Sequence, residues 1–304
     1  MKVCVVGLGR MGNAIARRLH LDGHQVIGYD PSQGARSTVE QNGVQTASSL
    51  EKAVADVKAV WLMVPAGEVV DKVLSVVRTS AKAGTVIIDG GNSHFTDSKQ
   101  RALELHGEGI SFLDCGTSGG VHGLRDGFCL MVGGDRLAFE EVEPIFKTLS
   151  AQGGYGYMGP SGSGHCVKMV HNGIEYALLQ AYADGFNLLK KSEFTKLDLA
   201  QISGVWSNGS VIRSWIVDLC KNVFDKDQDF KAVDGCIEQG GTGKWTIEYA
   251  NEREVDMPLT KKALDIRFDS CKSGGDYATK LVALLRNQFG GHKVIKKADN
   301  DTNN

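Results

Sequence analysis

The chain has 304 residues, of which 42% are hydrophobic and 23% are charged, and its formal net charge is −2. This composition is ordinary for a globular protein, and so small a net charge gives no overall attraction to nucleic acid or to an anionic membrane. An anionic ligand must therefore be held by local cations. The length predicts about two domains of roughly 150 residues each.

No stretch of the sequence approaches the roughly 18 apolar residues that a membrane helix needs. The first apolar run, residues 3–6, is too short for a signal peptide and is followed at once by glycine. We therefore expect a cytoplasmic protein that does not bind membranes.

The cysteines are scattered: Cys4, Cys115, Cys129, Cys166, Cys220, Cys236 and Cys271. Their number is odd and no two form a C-x-x-C pair, which argues against a disulfide framework and against a zinc cluster. We expect most of them to be reduced, buried and apolar in character, and we predict no metal site.

Short β-rich runs alternate with helical runs in the first half of the chain. Strands are predicted at residues 3–6, 25–29, 59–64, 85–89, 111–114 and 129–132, and helices at residues 11–21, 67–79 and 98–107. Strands that alternate with helices indicate a doubly wound parallel sheet of the Rossmann type, covered on both faces.

The character of the sequence changes at residues 153–164, which are rich in Gly, Ser and Tyr and include one Pro. We place the domain boundary there, so that residues 1–161 form the α/β domain and residues 162–304 an all-α domain. A long helix is predicted at residues 165–191, and further helices follow through residue 285. Residues 239–243 are predicted to be a loop, and residues 296–304 a frayed polar end.

A glycine fingerprint follows the first strand and opens the first helix. Residues 7–12 read G-L-G-R-M-G. In such a motif, Gly7 permits a tight turn, Gly9 lets a pyrophosphate approach the backbone, and Gly12 allows close packing of helix and strand. The motif therefore predicts a dinucleotide site at the helix N-terminus, where N–H groups favour an anion. The competing interpretation is a strand–helix turn without a ligand.

An acidic residue at the end of the second strand indicates which dinucleotide is bound. Asp30 stands 18 residues after Gly12, where a carboxylate can accept hydrogen bonds from the adenosine ribose hydroxyls. A carboxylate there also repels the additional phosphate of NADP. The nearest arginine, Arg36, is not adjacent, and the sequence therefore favours NAD.

Two polar, glycine-rich segments follow later strands: residues 89–93, D-G-G-N-S, and residues 116–120, G-T-S-G-G. Loops at the carboxyl ends of parallel strands are where ligands bind in such sheets. Asn92 and Ser118 can hydrogen-bond a carboxylate or hydroxyl groups, and Gly119 and Gly120 offer backbone N–H groups. Each segment alone could equally be a tight turn.

A third segment, G-H-C-V-K-M-V-H-N-G-I-E-Y at residues 164–176, places Lys168, Asn172 and Glu175 on one helix face, with His171 beside them. The alternative is a solvated polar stripe with a Lys/Glu pair. The chemistry fits a dehydrogenase: a lysine can accept a hydroxyl proton if its pKa is lowered, and a neutral carboxyl group can protonate a carbon after decarboxylation.

These motifs, with G-G-T-G-K-W and R-N-Q-F-G-G-H further on, resemble the 6-phosphogluconate dehydrogenase family along nearly the whole chain. The resemblance implies that Lys168 is the general base and Glu175 the general acid, supported by Asn172. It implies substrate contacts by Asn92, Ser118, Gly119, Gly120, His171, Asn172, Tyr176 and Thr242. The predicted cofactor contacts are Gly7, Leu8, Gly9, Arg10, Met11, Gly12, Asp30, Val64 and Asn92.

The resemblance also implies a phosphate site. Tyr176 and a nearby arginine would hold the phosphate, and Arg267 is the candidate. Arg286 and His292 resemble a pair that the family sends into the neighbouring subunit's site, which implies a homodimer or homotetramer. The alternative for this pair is a helix C-terminus with stabilising cations. Gly240 stands where longer members carry a lysine, and the chain resembles the short form of the family.

Three functions remain open from the sequence. The first is oxidative decarboxylation of 6-phosphogluconate to ribulose 5-phosphate and carbon dioxide with NAD, in which residues 162–304 bind substrate and form the dimer contact. The second is a β-hydroxyacid dehydrogenase that acts on a small acid such as 3-hydroxyisobutyrate without decarboxylation. The third is a catalytically silent module that binds NAD and senses redox state.

Overall fold

An eight-stranded sheet organises the first part of the chain in the computed structural model, which describes residues 1–238 and 240–297. The strands are β1 (Lys2–Val6), β2 (Gln25–Tyr29), β3 (Gln45–Thr46), β4 (Ala59–Leu62), β5 (Val86–Asp89), β6 (Ser111–Ser118), β7 (Phe128–Gly134) and β8 (Ser150–Gly159). Their order in the sheet is β3-β2-β1-β4-β5-β6-β7-β8. The predicted α/β fold with a Rossmann-type doubly wound sheet is confirmed.

One pair of strands departs from the predicted parallel arrangement. β6 and β7 run antiparallel, whereas the other pairs are parallel. The connection between them is only nine residues long, 119–127. A parallel crossover needs a dozen residues or more, so this short connection returns the chain in the opposite direction.

Helices cover both faces of the sheet. They are α1 (Arg10–Leu21), α2 (Gln33–Glu40), α3 (Leu50–Val54), α4 (Glu68–Ser80), α5 (Phe95–Leu105), α6 (Gly123–Asp126) and α7 (Arg136–Leu149). Along β1, Val3 and Val5 pack in the cluster with α1 and α7, while Cys4 and Val6 pack in the cluster with α3 and α4. The alternation of side chains along a strand therefore supplies two apolar cores.

The second part of the chain is helical among its described residues. Its helices are α8 (Ser163–Lys190), α9 (Leu199–Ser207), α10 (Trp215–Phe224), α11 (Thr242–Glu252), α12 (Pro258–Ser273) and α13 (Tyr277–Gly290). A core that includes Phe186, Phe224, Phe230 and Leu281 joins several of them. Within the described part of the chain, no helix combines the length and the apolar character needed to cross a membrane.

The chain divides into two compact units, Met1–Val170 and His171–Asn304. The first turns of α8 pack on β6 and therefore belong to the first unit. The rest of the helix belongs to the second unit. The division predicted between residues 161 and 162 lies just before α8 and stays a prediction.

One strand was not predicted, and two local expectations were wrong in part. The glycine-rich residues 153–159 belong to β8, an edge strand, and Lys296 forms a β-bridge with Val233. Of the predicted loop 239–243, residue 239 lies outside the described residues and helix α11 already begins at Thr242. Residues 298–304 of the predicted frayed end also lie outside the described part.

The cysteines also differ from the expectation. Cys4, Cys115 and Cys220 are free and buried as expected. Cys236 and Cys271, however, form a disulfide across a sequence separation of 35. Sequence spacing gives no sign of this pair, because only the packing of α12 brings the two Cα atoms to 4.1 Å.

Candidate active site

The glycine turn between β1 and α1 has the geometry of a nucleotide-binding loop. Gly7 has φ +88°, and a Cβ there would lie 2.3 Å from the Met63 carbonyl oxygen. A Cβ on Gly12 would lie 1.8 Å from the Gly7 carbonyl oxygen, whereas nothing lies within 4 Å of the equivalent position on Gly9. Gly7 and Gly12 are therefore required by the turn itself, and Gly9 leaves open space for a ligand.

A cavity of about 560 Å³ adjoins this turn. Its lining includes Gly7 and Gly9 on one side, Asp30 at the end of β2, and Val64 with residues of α4 on another side. Leu8 is buried in the core beneath the turn, while Arg10 and Met11 begin α1. A partly apolar cavity beside helix N–H groups is suited to the pyrophosphate and adenosine of a dinucleotide.

Asp30 is tied to the turn by its carboxylate. One carboxylate oxygen accepts the backbone N–H of Leu8 at 2.8 Å, and the other accepts that of Ser32 at 2.8 Å. The guanidinium of Arg36 donates to the carbonyl oxygens of Asp30 and Pro31 at 2.6 and 3.2 Å. Arg36, the first arginine after Asp30 in the sequence, is therefore bound to the backbone.

The two polar loops predicted to bind substrate end neighbouring strands of the sheet. β5 and β6 are parallel, with Asp89 opposite Asp114, so that the Asn92 loop after β5 and Ser118 at the end of β6 lie toward the same end of the sheet. Asn92 is exposed and Ser118 is half-buried. Gly119 and Gly120 have φ values of +118° and +53°, which turn the chain sharply after Ser118.

Asn92 stands between two anchored neighbours. The buried carboxylate of Asp89 accepts hydrogen bonds from the Gly91 N–H at 3.1 Å and from the Ser93 hydroxyl at 2.7 Å. Arg101 lies 3.8 Å from the same carboxylate and also pairs with Asp71. The loop backbone on both sides of Asn92 is thereby fixed.

The start of α8 is fixed on β6 by a buried carboxylate. Asp114, which is fully buried, accepts the N–H of Gly162 at 2.6 Å and that of His165 at 2.8 Å. A Cβ on Gly116 would lie 2.2 Å from the Lys168 Cβ, so that glycine lets the helix approach the strand closely. Lys168 is only 7% exposed.

Lys168, Asn172 and Glu175 lie on the same continuous helix, α8, at the spacing that places them on one face. The Asn172 amide oxygen accepts a hydrogen bond from Nδ1 of His171 at 3.0 Å. The Asn172 amide nitrogen donates to the Thr242 hydroxyl at 3.5 Å, which brings the first residue of α11 to this face. The structure thus brings Thr242 beside Asn172, and a shared substrate-binding role for the two residues stays a prediction.

Two buried arginines, Arg267 on α12 and Arg286 on α13, accompany the buried Tyr176 of α8. We call these three residues the arginine cluster. The Arg267 guanidinium carbon is 3.3 Å from the Tyr176 ring centroid. Arg267 is 1% exposed and Arg286 is 8% exposed. Both terminal nitrogens of Arg267 lack a hydrogen-bond partner among the described residues.

Burial is the main cause that lowers the pKa of Arg267, to about 10, and the Tyr176 hydroxyl opposes the shift. Burial also lowers the pKa of Arg286. A pKa of about 10 leaves the Arg267 guanidinium charged at neutral pH. A buried cation with two unused donors is suited to bind an anion with several oxygens.

Arg286 and His292 are placed differently. Arg286 is buried within its own unit, where Tyr176 and Glu175 favour its charged form. His292 is exposed after the end of α13, and its ring lies near that of Phe289. Their assignment to a neighbouring subunit's site stays a prediction, as do the individual roles of the other predicted site residues.

Three positioning residues are absent from the sequence-based site: Asp114, Asp89 and Arg101. The sequence could have indicated Asp114 and Asp89, since each is an acidic residue at the end of a predicted buried strand. Such residues are fully buried only when they are paired or hydrogen-bonded. Arg101 gave no comparable signal.

The glycine turn, its cavity and the lysine-bearing helix define a dinucleotide-dependent oxidoreductase. Residues 2–170 match the NAD binding domain of 6-phosphogluconate dehydrogenase, and residues 164–299 match the C-terminal domain of 6-phosphogluconate dehydrogenase. The chain belongs to the 6-phosphogluconate dehydrogenase family.

Relatives and solved structures agree with this assignment. The NAD(+)-dependent, decarboxylating 6-phosphogluconate dehydrogenase of Haloferax volcanii is 43% identical over 98% of this chain and 100% of its own length. The decarboxylating enzyme of Synechococcus elongatus is 33% identical over 92% of this chain, which covers 64% of that longer protein.

Among solved structures, 6-phosphogluconate dehydrogenase of Plasmodium falciparum has a TM-score of 0.83 at 27% identity, covering 99% of this chain and 67% of that chain. A 3-hydroxyisobutyrate dehydrogenase of Mycobacterium tuberculosis has a TM-score of 0.74 at 25% identity, covering 94% of this chain and 98% of that chain.

Proposed function

We propose that the chain catalyses the oxidative decarboxylation of 6-phosphogluconate to ribulose 5-phosphate and carbon dioxide, with NAD as the hydride acceptor. The family relationship supports the reaction. One observation carries the choice of substrate: the buried guanidinium of Arg267 stacks on Tyr176, and its two terminal nitrogens have no hydrogen-bond partner among the described residues. A small unphosphorylated acid would leave these donors without a partner, and that is costly for a buried charge.

We assign the proton transfers to α8. Lys168 accepts the proton of the C3 hydroxyl, and Glu175 donates a proton to the carbon that loses carbon dioxide. NAD, bound at the glycine turn, takes up the hydride. Asn172 orients the substrate together with Thr242, and Asn92 and Ser118 bind the sugar-acid oxygens. The shared helix face of Lys168 and Glu175 supports this division of roles.

We propose NAD rather than NADP because of two observations at the end of β2. The Asp30 carboxylate lines the cavity, where its negative charge repels a 2′-phosphate. The guanidinium of Arg36 is bound to two backbone carbonyl oxygens and would have to leave them to reach that phosphate. Parallel kcat/KM measurements with both cofactors test this choice, and a preference for NADP contradicts it.

The reaction is tested by measuring NADH and carbon dioxide together from 6-phosphogluconate. We expect one carbon dioxide per NADH in the wild-type protein. Lys168→Ala and Glu175→Ala should each lose about 100- to 10,000-fold in kcat, the usual contribution of acid–base groups, and still bind NAD. Lys190→Ala, at the exposed end of the same helix, should retain activity. Near-normal turnover in both site variants would refute the assignment.

The second candidate is a dehydrogenase that acts on a small β-hydroxyacid without decarboxylation. The similarity of the fold to the 3-hydroxyisobutyrate dehydrogenase of Mycobacterium tuberculosis favours it. NADH formation from 3-hydroxyisobutyrate, with no carbon dioxide and no turnover of 6-phosphogluconate, would select this function.

We also propose a homodimer or homotetramer. Ile174, Leu178 and Leu188 on α8 are 49%, 45% and 73% exposed. Their spacing places them on one side of the helix, as in a helix–helix seam. Sedimentation equilibrium should show an oligomer, and Leu178→Glu should weaken it. A wild-type monomer at micromolar concentration would contradict the proposal.

A further inference from the structure

The Cys236–Cys271 disulfide is open to solvent at one of its two ends. Cys271, on α12, is exposed, and Cys236, in the segment before α11, is half-buried. Disulfides are rare in proteins of reducing compartments, and those found there are usually catalytic or redox-sensing. Exposed disulfides are also easier to reduce than buried ones. The bond is thus chemically able to respond to a reductant.

The bond lies one helical turn from the buried arginine. Arg267 and Cys271 are four residues apart on α12. Between them, the Ser270 hydroxyl donates to the Arg267 carbonyl oxygen at 2.7 Å and accepts the Ile237 N–H at 3.0 Å. The segment around Cys236 is therefore attached to α12 beside Arg267 by a covalent bond and by the Ile237–Ser270 hydrogen bond.

The same segment leads toward Thr242. The disulfide closes a stretch with a sequence separation of 35, and this stretch contains Thr242 and Arg267. Gly235 is held as well, because its N–H donates to the Gly274 carbonyl oxygen at 2.9 Å. Both groups that the proposed function assigns to substrate binding in this stretch thus lie within one cross-linked loop.

We propose that Cys236–Cys271 is a reversible redox-modification site that sets the affinity of the arginine cluster for the substrate's phosphate group. The proposal rests on the function proposed above for its ligand. In the oxidised form, the cross-link holds α12 and the residues around Cys236 in the arrangement described. In the reduced form, only hydrogen bonds and the burial of Ile237 hold the residues around Cys236 on α12. Phosphate binding must then also order these residues, and this cost lowers the affinity.

The chemistry requires a dithiol reductant. Its thiolate attacks Sγ of Cys271, the Sγ–Sγ bond breaks, and Cys236 leaves as a thiolate that takes a proton from water. The second thiol of the reductant then displaces Cys271 as a thiol. Two electrons pass to the protein, and the reductant becomes a disulfide.

The test uses the full chain in two states, oxidised with a disulfide reagent or reduced with dithiothreitol, with thiols at both positions counted by peptide mass spectrometry. Reduction should raise KM for 6-phosphogluconate by about fivefold or more, the lower end of ordinary coupling between sites, without a change in the Kd of NAD. The variant Cys236→Ser/Cys271→Ser should behave as the reduced form in both states. Cys129→Ser, at an exposed free cysteine, should keep the full response.

Equal KM values in the two states overturn the proposal, and so does a redox response that persists in the double variant. Free thiols at both positions after oxidation overturn it as well. If no state turns over 6-phosphogluconate, the proposed function fails, and inorganic phosphate then decides the redox site by calorimetry. Tighter phosphate binding by the oxidised form supports the site, and equal binding overturns it.

Discussion

The guanidinium of Arg267 stacks on the ring of Tyr176 at 3.3 Å, and Gly243 makes room for that ring. A Cβ on Gly243 would lie 2.4 Å from the Tyr176 ring. The start of α11 can therefore approach this ring only with a glycine at position 243. The tyrosine face offsets part of the cost of burying the charge. The remaining cost is the two terminal nitrogens without a partner among the described residues.

Replacing Arg267 should therefore separate stability from binding. We expect Arg267→Met to leave the unliganded protein equally stable or more stable by about 1–4 kcal/mol, because a buried charge is replaced by an apolar chain. The same variant should lose the thermal stabilisation that 6-phosphogluconate gives to the wild-type protein. Denaturant unfolding and ligand-dependent Tm measurements check both effects.

Arg253 provides the matched control, since it stacks on Tyr249 at 5.2 Å but is exposed. Arg253→Met should change neither stability nor ligand response appreciably. Strong destabilisation of Arg267→Met would show that the guanidinium has a structural role and would contradict the interpretation as a site held ready for an anion.

Asp114 links the sheet to the helix that carries Lys168. We expect Asp114→Asn to lower the free energy of unfolding by about 1–3 kcal/mol, because the amide NH₂ faces a backbone N–H and leaves a buried donor unpaired. Because Lys168 lies one turn beyond His165, kcat should fall while the Kd of NAD stays constant. Urea unfolding and steady-state kinetics measure the two effects.

The control for this change is Asp135→Ala at the N-terminus of α7, where the carboxylate accepts the Ala138 N–H at 2.8 Å. That variant loses a helix cap far along the chain from Lys168, and it should lose stability without losing kcat. Equal losses of kcat in both variants would show that the effect of Asp114 is general destabilisation.

Much of this architecture follows from sequence pattern alone. β1, β2, β4 and β5 are apolar runs, and the residues that begin and end them were predicted to within about two positions, as is usual for boundaries. β8 was not predicted, because its residues 150–159 form an edge strand that is mostly half-exposed and rich in glycine. Such a strand lacks both the apolar run and the strict alternation that identify strands.

The candidate site divides in the same way. The face of α8 follows from helical period, since Lys168, Asn172 and Glu175 are local in sequence. The contacts of Tyr176 with Arg267, and of Cys236 with Cys271, join residues far apart along the chain. Periodicity carries no information on such pairs, because they depend on how α12 packs. The resemblance supplied Arg267 as a candidate, and nothing supplied the disulfide.

The Asp89–Arg101 pair offers a test of how the Asn92 loop is held. Both side chains are buried, and Arg101 also donates to the Gly67 carbonyl oxygen at 3.2 Å. We expect Arg101→Met to destabilise the protein by about 3–5 kcal/mol, because it leaves the Asp89 carboxylate buried without its cation. KM for 6-phosphogluconate should rise as the loop loses its fixed backbone.

The double variant Asp89→Asn/Arg101→Met distinguishes a true pair from two independent residues. Coupled residues give a double variant that is more stable than the sum of the two single changes predicts, by about 0.5–3 kcal/mol. Additive effects in urea unfolding would show that the two side chains act separately, and the loop would then be held by the Asp89 hydrogen bonds alone.

His24 should make the stability of the protein sensitive to mild acid. Burial lowers the pKa of His24, the N-terminal ammonium at 3.4 Å lowers it further, and Asp22 opposes both. The unfolded chain takes up a proton near its ordinary pKa of about 6.5, whereas the folded chain does so only at lower pH. The stability contributed by neutral His24 is therefore present above pH about 6.5 and lost as the pH falls toward the folded pKa.

We expect His24→Gln to flatten the fall of the unfolding free energy between about pH 7 and 5. Glutamine can still bond the Thr148 hydroxyl, which lies 3.0 Å from the histidine ring, but does not titrate. His106→Gln, at an exposed position of the same unit, should leave the pH profile unchanged. Urea unfolding at several pH values measures both profiles, and parallel curves for the wild type and His24→Gln would assign the acid sensitivity to other groups.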